Sequence, residues 1–161
     1  MSRSAPNILQ LARALADHDV RYVLIGGFAM VLHGSNQVTE DCDLAVAPDP
    51  ANLDRLVEAL RPLHPKLLRG QSTQWTRDAI AGSFTRLDSD AGTIDIMPRV
   101  LGVESFAKLY ERAVRFDLEG TTVPVASVDD LIAMKSLSRR ERDAVHLKEL
   151  QAIRRMGDAV E

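Results

Sequence analysis

At 161 residues the chain amounts to one ordinary domain, and 45% apolar with 27% charged residues is the composition of a globular protein, not of a disordered, collagenous or membrane one. The 20 Lys+Arg and 23 Asp+Glu leave a net charge of -3, which removes the strongest reason to expect a general nucleic-acid binder. The single Cys42 excludes an internal disulfide, no apolar run nears the roughly 18–20 residues of a spanning helix, and the start Met-Ser-Arg-Ser-Ala-Pro lacks a signal-peptide core, so a cytoplasmic protein with no membrane segment is expected.

In chain order, Pro6 to Asp17 sets Ile8, Leu11, Ala12, Leu15 and Ala16 on one face of a helix. Arg21 to Ile25 is a short β-branched and aromatic strand that stops at Gly26-Gly27, and Phe28 to His33 then reads as a short buried helix. A second strand covers Cys42 to Ala47. Asp49-Pro50 supplies an N-cap and first-turn proline for a helix with Leu53, Leu56, Val57 and Leu60 inward, ended by Pro62 and Pro65. From Leu67 to Ser89 the pattern weakens, with strands expected at Trp75 to Arg77 and Gly82 to Leu87. Thr93 to Met97 is a strand, and Val103 to Val114 a helix with Phe106, Leu109, Tyr110 and Ala113 inward. Arg115 to Leu118 and Thr122 to Val125 form a hairpin through Glu119-Gly120, and Pro124 favours an edge position. Ser127 caps a helix to Leu137, and a last helix with Val145, Leu147, Leu150 and Ile153 extends to about Met156. The expected fold is a single α/β (α+β) domain over 1–161, a mixed sheet flanked by helices. Its sheet core spans about 1–100, and a C-terminal hairpin and helices span about 101–161.

Three features converge if these strands pair. Gly26-Gly27 ends the first strand, Asp41 and Asp43 share one face of the second at i and i+2, and Asp95 lies inside the later strand between Ile94 and Ile96. Two carboxylates at about 4 Å repel by roughly 4 kcal/mol at an effective dielectric near 20. A divalent cation offsets that cost, and hard carboxylate oxygens are the ligands Mg²⁺ takes when phosphates complete its shell. A third carboxylate would let two ions act on the attacking and leaving oxygens of a phosphoryl displacement. Glycines without Cβ let backbone N–H groups approach a phosphate.

The stretch Val23-Leu24-Ile25-Gly26-Gly27-Phe28-Ala29, His33-Gly34 and Thr39-Glu40-Asp41-Cys42-Asp43-Leu44 resembles the Gly-Gly, gap, Asp-x-Asp signature of the DNA polymerase beta-like nucleotidyltransferase superfamily. Ser127 to Lys135 and Arg140 to Leu147 are similar to bacterial stand-alone members, the AbiEii-type toxin enzymes and the lincosamide-type resistance enzymes. The resemblance spans about Arg21 to Leu150. It implies transfer of a nucleoside monophosphate from an NTP to an acceptor hydroxyl on a protein, a tRNA or a small molecule, with pyrophosphate leaving. It further implies that Asp41, Asp43 and Asp95 are the catalytic metal ligands, with Asp95 helping to deprotonate the acceptor. Two Mg²⁺ ions, with Mn²⁺ as the alternative, would be the cofactors. Gly26, Gly27 and Ser35 would contact phosphates, Lys135 would balance triphosphate charge, and Asp143 would orient Lys135 or touch the nucleotide. A place as the enzyme half of a toxin–antitoxin or phage-defence pair is implied too, with a cognate partner protein or a homodimer as the assembly. Many relatives carry Arg where this chain has Gln37, a departure that implies either weaker NTP binding or reliance on another base such as Arg86 or Arg99.

Simpler readings weigh against some of these residues. His33 is expected to be a packed or capping histidine, His146 a helix surface residue, and Cys42 a buried hydrophobe on the opposite sheet face. Trp75 is expected in the core or at a lip. The segment Lys135 to Met156 carries seven basic and three acidic side chains, a solvated face by default or a groove for RNA or an acidic partner. A dinucleotide loop would need Gly-x-Gly-x-x-Gly where the chain has Gly-Gly-Phe-Ala-Met-Val, and an aspartyl phosphatase would need Thr where Ala45 stands. A nucleotide-sugar glycosyltransferase lacks the preceding Gly-Gly. The alternative of a different class is a non-catalytic, antitoxin-like or nucleotide-binding interaction protein on the same fold.

Overall fold

The computed structural model describes residues 6–68, 74–82, 84–138 and 140–160, with side chains through 158. Ser83 of the expected strand 82–87, Arg139 of the basic segment and residues 1–5 lie outside the described residues. The elements are α1 (Ile8–Asp17), β1 (Tyr22–Ile25), α2 (Gly26–Leu32), β2 (Asp41–Val46), α3 (Pro50–Leu60), β3 (Lys66–Leu67), α4 (Arg77–Ile80), β4 (Thr85–Ser89), β5 (Gly92–Met97), α5 (Phe106–Arg112), β6 (Val114–Leu118), β7 (Thr121–Val125), α6 (Val128–Ser136) and α7 (Glu141–Val160).

The strands form one mixed sheet in the order β3-β4-β5-β2-β1-β7-β6, so the expected α/β architecture of a mixed sheet flanked by helices is observed. Its centre is apolar because Val23, Leu24, Cys42, Leu44, Ile94 and Ile96 are fully buried. The helices start where their caps dictate. Asn7 accepts from the Gln10 N–H, Asp49 from Asn52 and Ser127 from Asp130, each satisfying an orphan amide of a first turn. The buried Asn52 side chain ties α3 to the β1 entrance, donating to the carbonyls of Arg21 and Ala47 at 3.0 and 2.9 Å and accepting from the Arg21 N–H at 2.8 Å.

Four expectations are corrected. Trp75 to Arg77 is not a strand: the Trp75 indole donates to the Val57 carbonyl at 2.8 Å, Ile80 is fully buried, and the single turn of α4 docks on α3 instead of entering the sheet. The helix expected over 103–114 is shorter, because Ser105 caps it by accepting from Lys108, and the chain turns at Gly102, where φ is +97° and a Cβ would press on the Ala133 carbonyl at 2.9 Å. Pro124 lies on an inner strand, with β6 at the edge. The sheet tolerates it because β1 registers with β7 only at Leu24↔Val125, beyond the proline, where Ala126 N–H donates to Leu24. The last helix runs on to Val160, with Leu150 fully buried and Val145 exposed.

Candidate active site

Register builds the acidic wall. Asp43 on β2 is paired with Ile25 on β1 and with Asp95 on β5, and Asp95 is paired with Arg86 on β4. Directly opposed residues share a sheet face, so Ile25, Asp43, Asp95 and Arg86 form one row across four strands. Asp41 stands beside the row, two residues before Asp43, while Cys42 and Leu44 point to the opposite, fully buried face. Burial pushes the Cys42 thiol up and out of reach as a nucleophile.

Within the row, burial raises the Asp43 carboxyl first, and then the charge of Asp95, a hydrogen bond shared with Asp95, and Asp41; Lys135 acts in the opposite sense, and the result is a pKa of about 7. The Arg86 guanidinium grips Asp95 with both arms, Nε to Oδ1 at 2.8 Å and Nη2 to Oδ2 at 2.9 Å, and the same Nη2 reaches Asp41 Oδ2 at 3.2 Å. Gly26 closes the other end of the row. Its φ is +70°, and a Cβ there would lie 2.1 Å from Asp43 Oδ2, so backbone conformation and the approach of the carboxylate both require glycine. A Cβ on Gly27 would meet Thr39 Oγ1 at 2.7 Å.

The facing wall is basic and comes from α6 and α7. Lys135, Arg142 and His146 line one cleft of about 390 Å³ with Gly26, Gly27, Asp41 and Asp43. An adjoining cleft of about 350 Å³ joins Asp95 and Arg86 to Lys135, Arg140 and Asp143. Asp143 organises this wall: Lys135 Nζ donates to its Oδ1 at 2.6 Å, and the Ser138 hydroxyl donates to its Oδ2. Burial alone would raise the Asp143 carboxyl, yet the hydrogen bonds from Lys135 and Ser138 outweigh it and hold the group at about 2.

The fold therefore brings together Gly26, Gly27, Asp41, Asp43, Asp95, Lys135 and Asp143. Ser35 is placed differently, buried in the loop after α2, where its hydroxyl accepts from the Gln37 N–H at 3.2 Å. Gln37 lines the cleft and donates to Met30 Sδ. Of the two bases considered in place of the missing arginine, Arg86 reaches the site but is engaged by carboxylates, and Arg99 lines a neighbouring apolar cavity with Met97, Val100 and Phe106. His33 is the packed histidine expected, its Nε2 2.8 Å from the Ala126 carbonyl and its ring edge-on to Phe116. His146 is not the surface residue expected: it turns into the cleft, its Nδ1 3.6 Å from Asp143, and burial and then the charge of Lys135 lower its pKa. The i, i+3 spacing from Asp143 was the available signal. The basic segment divides, with Lys135, Arg140 and Arg142 at the cleft and Arg154 on the solvated surface beside Asp129.

Among the described residues no group of three or more His, Cys, Asp or Glu side chains is placed to hold a metal ion as they stand. Asp41, Asp43 and Asp95 are nonetheless hard oxygen donors crowded until one of them holds its proton near neutrality, which is the chemistry a divalent cation relieves. The donor set fits such an ion.

A mixed sheet with an Asp-x-Asp strand, a third aspartate on the neighbouring strand and a helix opening at Gly-Gly defines a nucleotidyltransferase. Residues 9–148 match the family described as the nucleotidyl transferase AbiEii toxin of type IV toxin–antitoxin systems, and the chain belongs to that family. Three solved structures share the fold. The lincosamide antibiotic adenylyltransferase LnuA, bound to lincomycin, is 17% identical with a TM-score of 0.66, covering 91% of this chain and 96% of its own. A protein of Thermotoga maritima assigned as a nucleotidyltransferase is 19% identical with a TM-score of 0.59, over 90% and 91% of the two chains. ANT(2'')-Ia, in complex with adenylyl-2''-tobramycin, is 14% identical with a TM-score of 0.52, over 92% and 95%. No curated protein matches significantly. Among the described residues no helix is long and apolar enough to cross a membrane.

Proposed function

We propose that this nucleotidyltransferase moves a nucleoside monophosphate from a Mg²⁺-bound NTP to an acceptor hydroxyl, as the enzyme half of a toxin–antitoxin or phage-defence pair. The observation that carries the reading is the pairing of an acidic wall on β2 and β5 with a basic wall on α6 and α7 across one cleft. Asp41 and Asp43 would hold the divalent ion, Mg²⁺ with Mn²⁺ as the alternative, and Asp95 would border the place of the second ion that the resemblance implies. When bound, such an ion neutralises the phosphates and polarises the reacting phosphorus.

The chain's own residues do the rest. Lys135, oriented by Asp143, meets the triphosphate, and the N–H groups of Gly26 and Gly27, which line the same cleft, approach its terminal phosphates. Ser35 supports this segment through Gln37 instead of reaching the cleft. The acceptor oxygen forms its bond to the α-phosphorus as the bridging P–O bond breaks. The electron pair leaves with pyrophosphate, and the hydroxyl proton passes to the carboxylate set that lines the adjoining cleft.

Incubation with each α-labelled NTP, Mg²⁺ and either total tRNA or cell lysate tests the reading. Pyrophosphate release and a labelled acceptor are expected with the intact chain, and Asp41→Ala should lower both by about 10²–10⁴-fold, the equivalent of several kcal/mol of lost transition-state stabilisation. No pyrophosphate release and no labelled acceptor from either protein would point to the antitoxin-like or nucleotide-binding alternative, and equal activity of the two would remove Asp41 from the catalytic set.

A further inference from the structure

The row that carries the carboxylates ends in a cation supplied by the protein itself. Arg86 is set opposite Asp95 by strand register, not by a flexible loop, since β4 and β5 pair from Thr85↔Ile96 to Ser89↔Gly92. Its guanidinium makes two parallel bonds to Asp95 and a third from the same Nη2 to Asp41, so one nitrogen lies between carboxylates of two different strands. The Arg86 side chain is about one third exposed and Asp95 only 5%, so the buried carboxylate is left with the guanidinium as its facing charge. A planar fork on a carboxylate is the tightest pairing a side chain offers, and arginine keeps its charge at any working pH.

We propose that Arg86 occupies the position between Asp95 and Asp41 that a second divalent cation would need, so that the site takes one divalent ion, on the Asp41–Asp43 side, beside a built-in guanidinium. This rests on the nucleotidyltransferase reading and narrows its two-ion expectation. The charge that a second ion would bring to the acceptor side comes instead from a group that never dissociates. Asp95, its two oxygens gripped by Arg86, is thereby held as a fixed anchor of the row, and Arg86 acts as a positioning residue. The same contact explains why Arg86, though close to the phosphate region, does not replace the arginine missing at position 37: its donors are turned to carboxylates.

The test counts ions, independently of turnover. Mn²⁺ is titrated into the intact chain and the free ion followed by electron paramagnetic resonance, with and without a non-hydrolysable ATP analogue. The unaltered chain should bind one Mn²⁺ tightly, Arg86→Ala and Arg86→Gln should each bind two, and Arg86→Lys, which keeps the charge, should stay at one. Circular dichroism of each variant establishes that it is folded, and the glutamine variant serves if the alanine variant is not. Two ions on the unaltered chain, or one ion on both neutral variants, would overturn the proposal. No Mn²⁺ bound by the unaltered chain under either condition would instead contradict the nucleotidyltransferase reading on which it rests.

Discussion

The two walls of the cleft are built by different means. The acidic wall is rigid by backbone register: Asp43 and Asp95 are opposed across a parallel strand pair inside a fully buried sheet centre, and their positions would survive the loss of any one side chain. The basic wall depends on side chains. Lys135 and Asp143 hold one another across the α6–α7 junction, close to the segment around Ser138 that joins the two helices. The acidic wall pays for its rigidity with like-charge crowding, whereas the basic wall is stabilised by the same ion pair that positions it. Function and stability are opposed in the first wall and aligned in the second.

That contrast has consequences of graded size. The largest effect on stability is expected in the basic wall. Lys135→Ala leaves the nearly buried Asp143 carboxylate with Ser138 and the longer contacts to His146 at 3.6 Å and Arg140 at 4.0 Å, and should destabilise the protein by about 3 kcal/mol in urea denaturation, the range for breaking a buried pair. The same variant should raise the KM for NTP. A variant with intact stability would show that the wall does not depend on this pair.

A smaller effect should appear with pH. The folded-state pKa of Asp143 is about 2 against an ordinary 3.8, so its ionised form is favoured by folding. Its contribution, about 2 kcal/mol, is fully present above pH 4 and is lost as pH falls from about 4 to about 2. The stability difference between the unaltered chain and Asp143→Asn should therefore shrink across that window. A difference that stays constant down to pH 2 would contradict the assignment.

The same contrast decides how much was legible in the sequence. Alternation along a strand places Asp41 and Asp43 together and Cys42 opposite, and an aspartate between two strand isoleucines marks Asp95; these patterns need no knowledge of distant contacts. Gly26 was readable as a strand terminator, but its closer reason, the approach of Asp43 Oδ2, needed the sheet. Arg86 was visible as a charge and not as a partner of Asp95, because the β4–β5 pairing lies in the stretch where apolar periodicity fades. Pro124 misled because an edge position is the usual answer to a missing N–H, and a strand paired over only part of its length is another. His146 looked like a surface residue because the helix facing it, α6, determines which side of α7 is inward.

The central claim is that the acidic wall is arranged for an ion and a nucleotide at the expense of the fold. Asp43→Asn, followed by thermal melting in EDTA at pH 8 and by pyrophosphate release with Mg²⁺ and NTP, tests it in one pair of measurements. Because the Asp43 pKa is raised to about 7, the folded state holds a proton there that the unfolded chain gives up above about pH 4, so stability falls as pH rises from about 4 to about 7, and the asparagine variant escapes that loss. The account predicts a variant that melts at or above the temperature of the unaltered chain while pyrophosphate release falls by about 10²–10⁴-fold. A variant that melts well below it, or that turns over at the original rate, would contradict the claim.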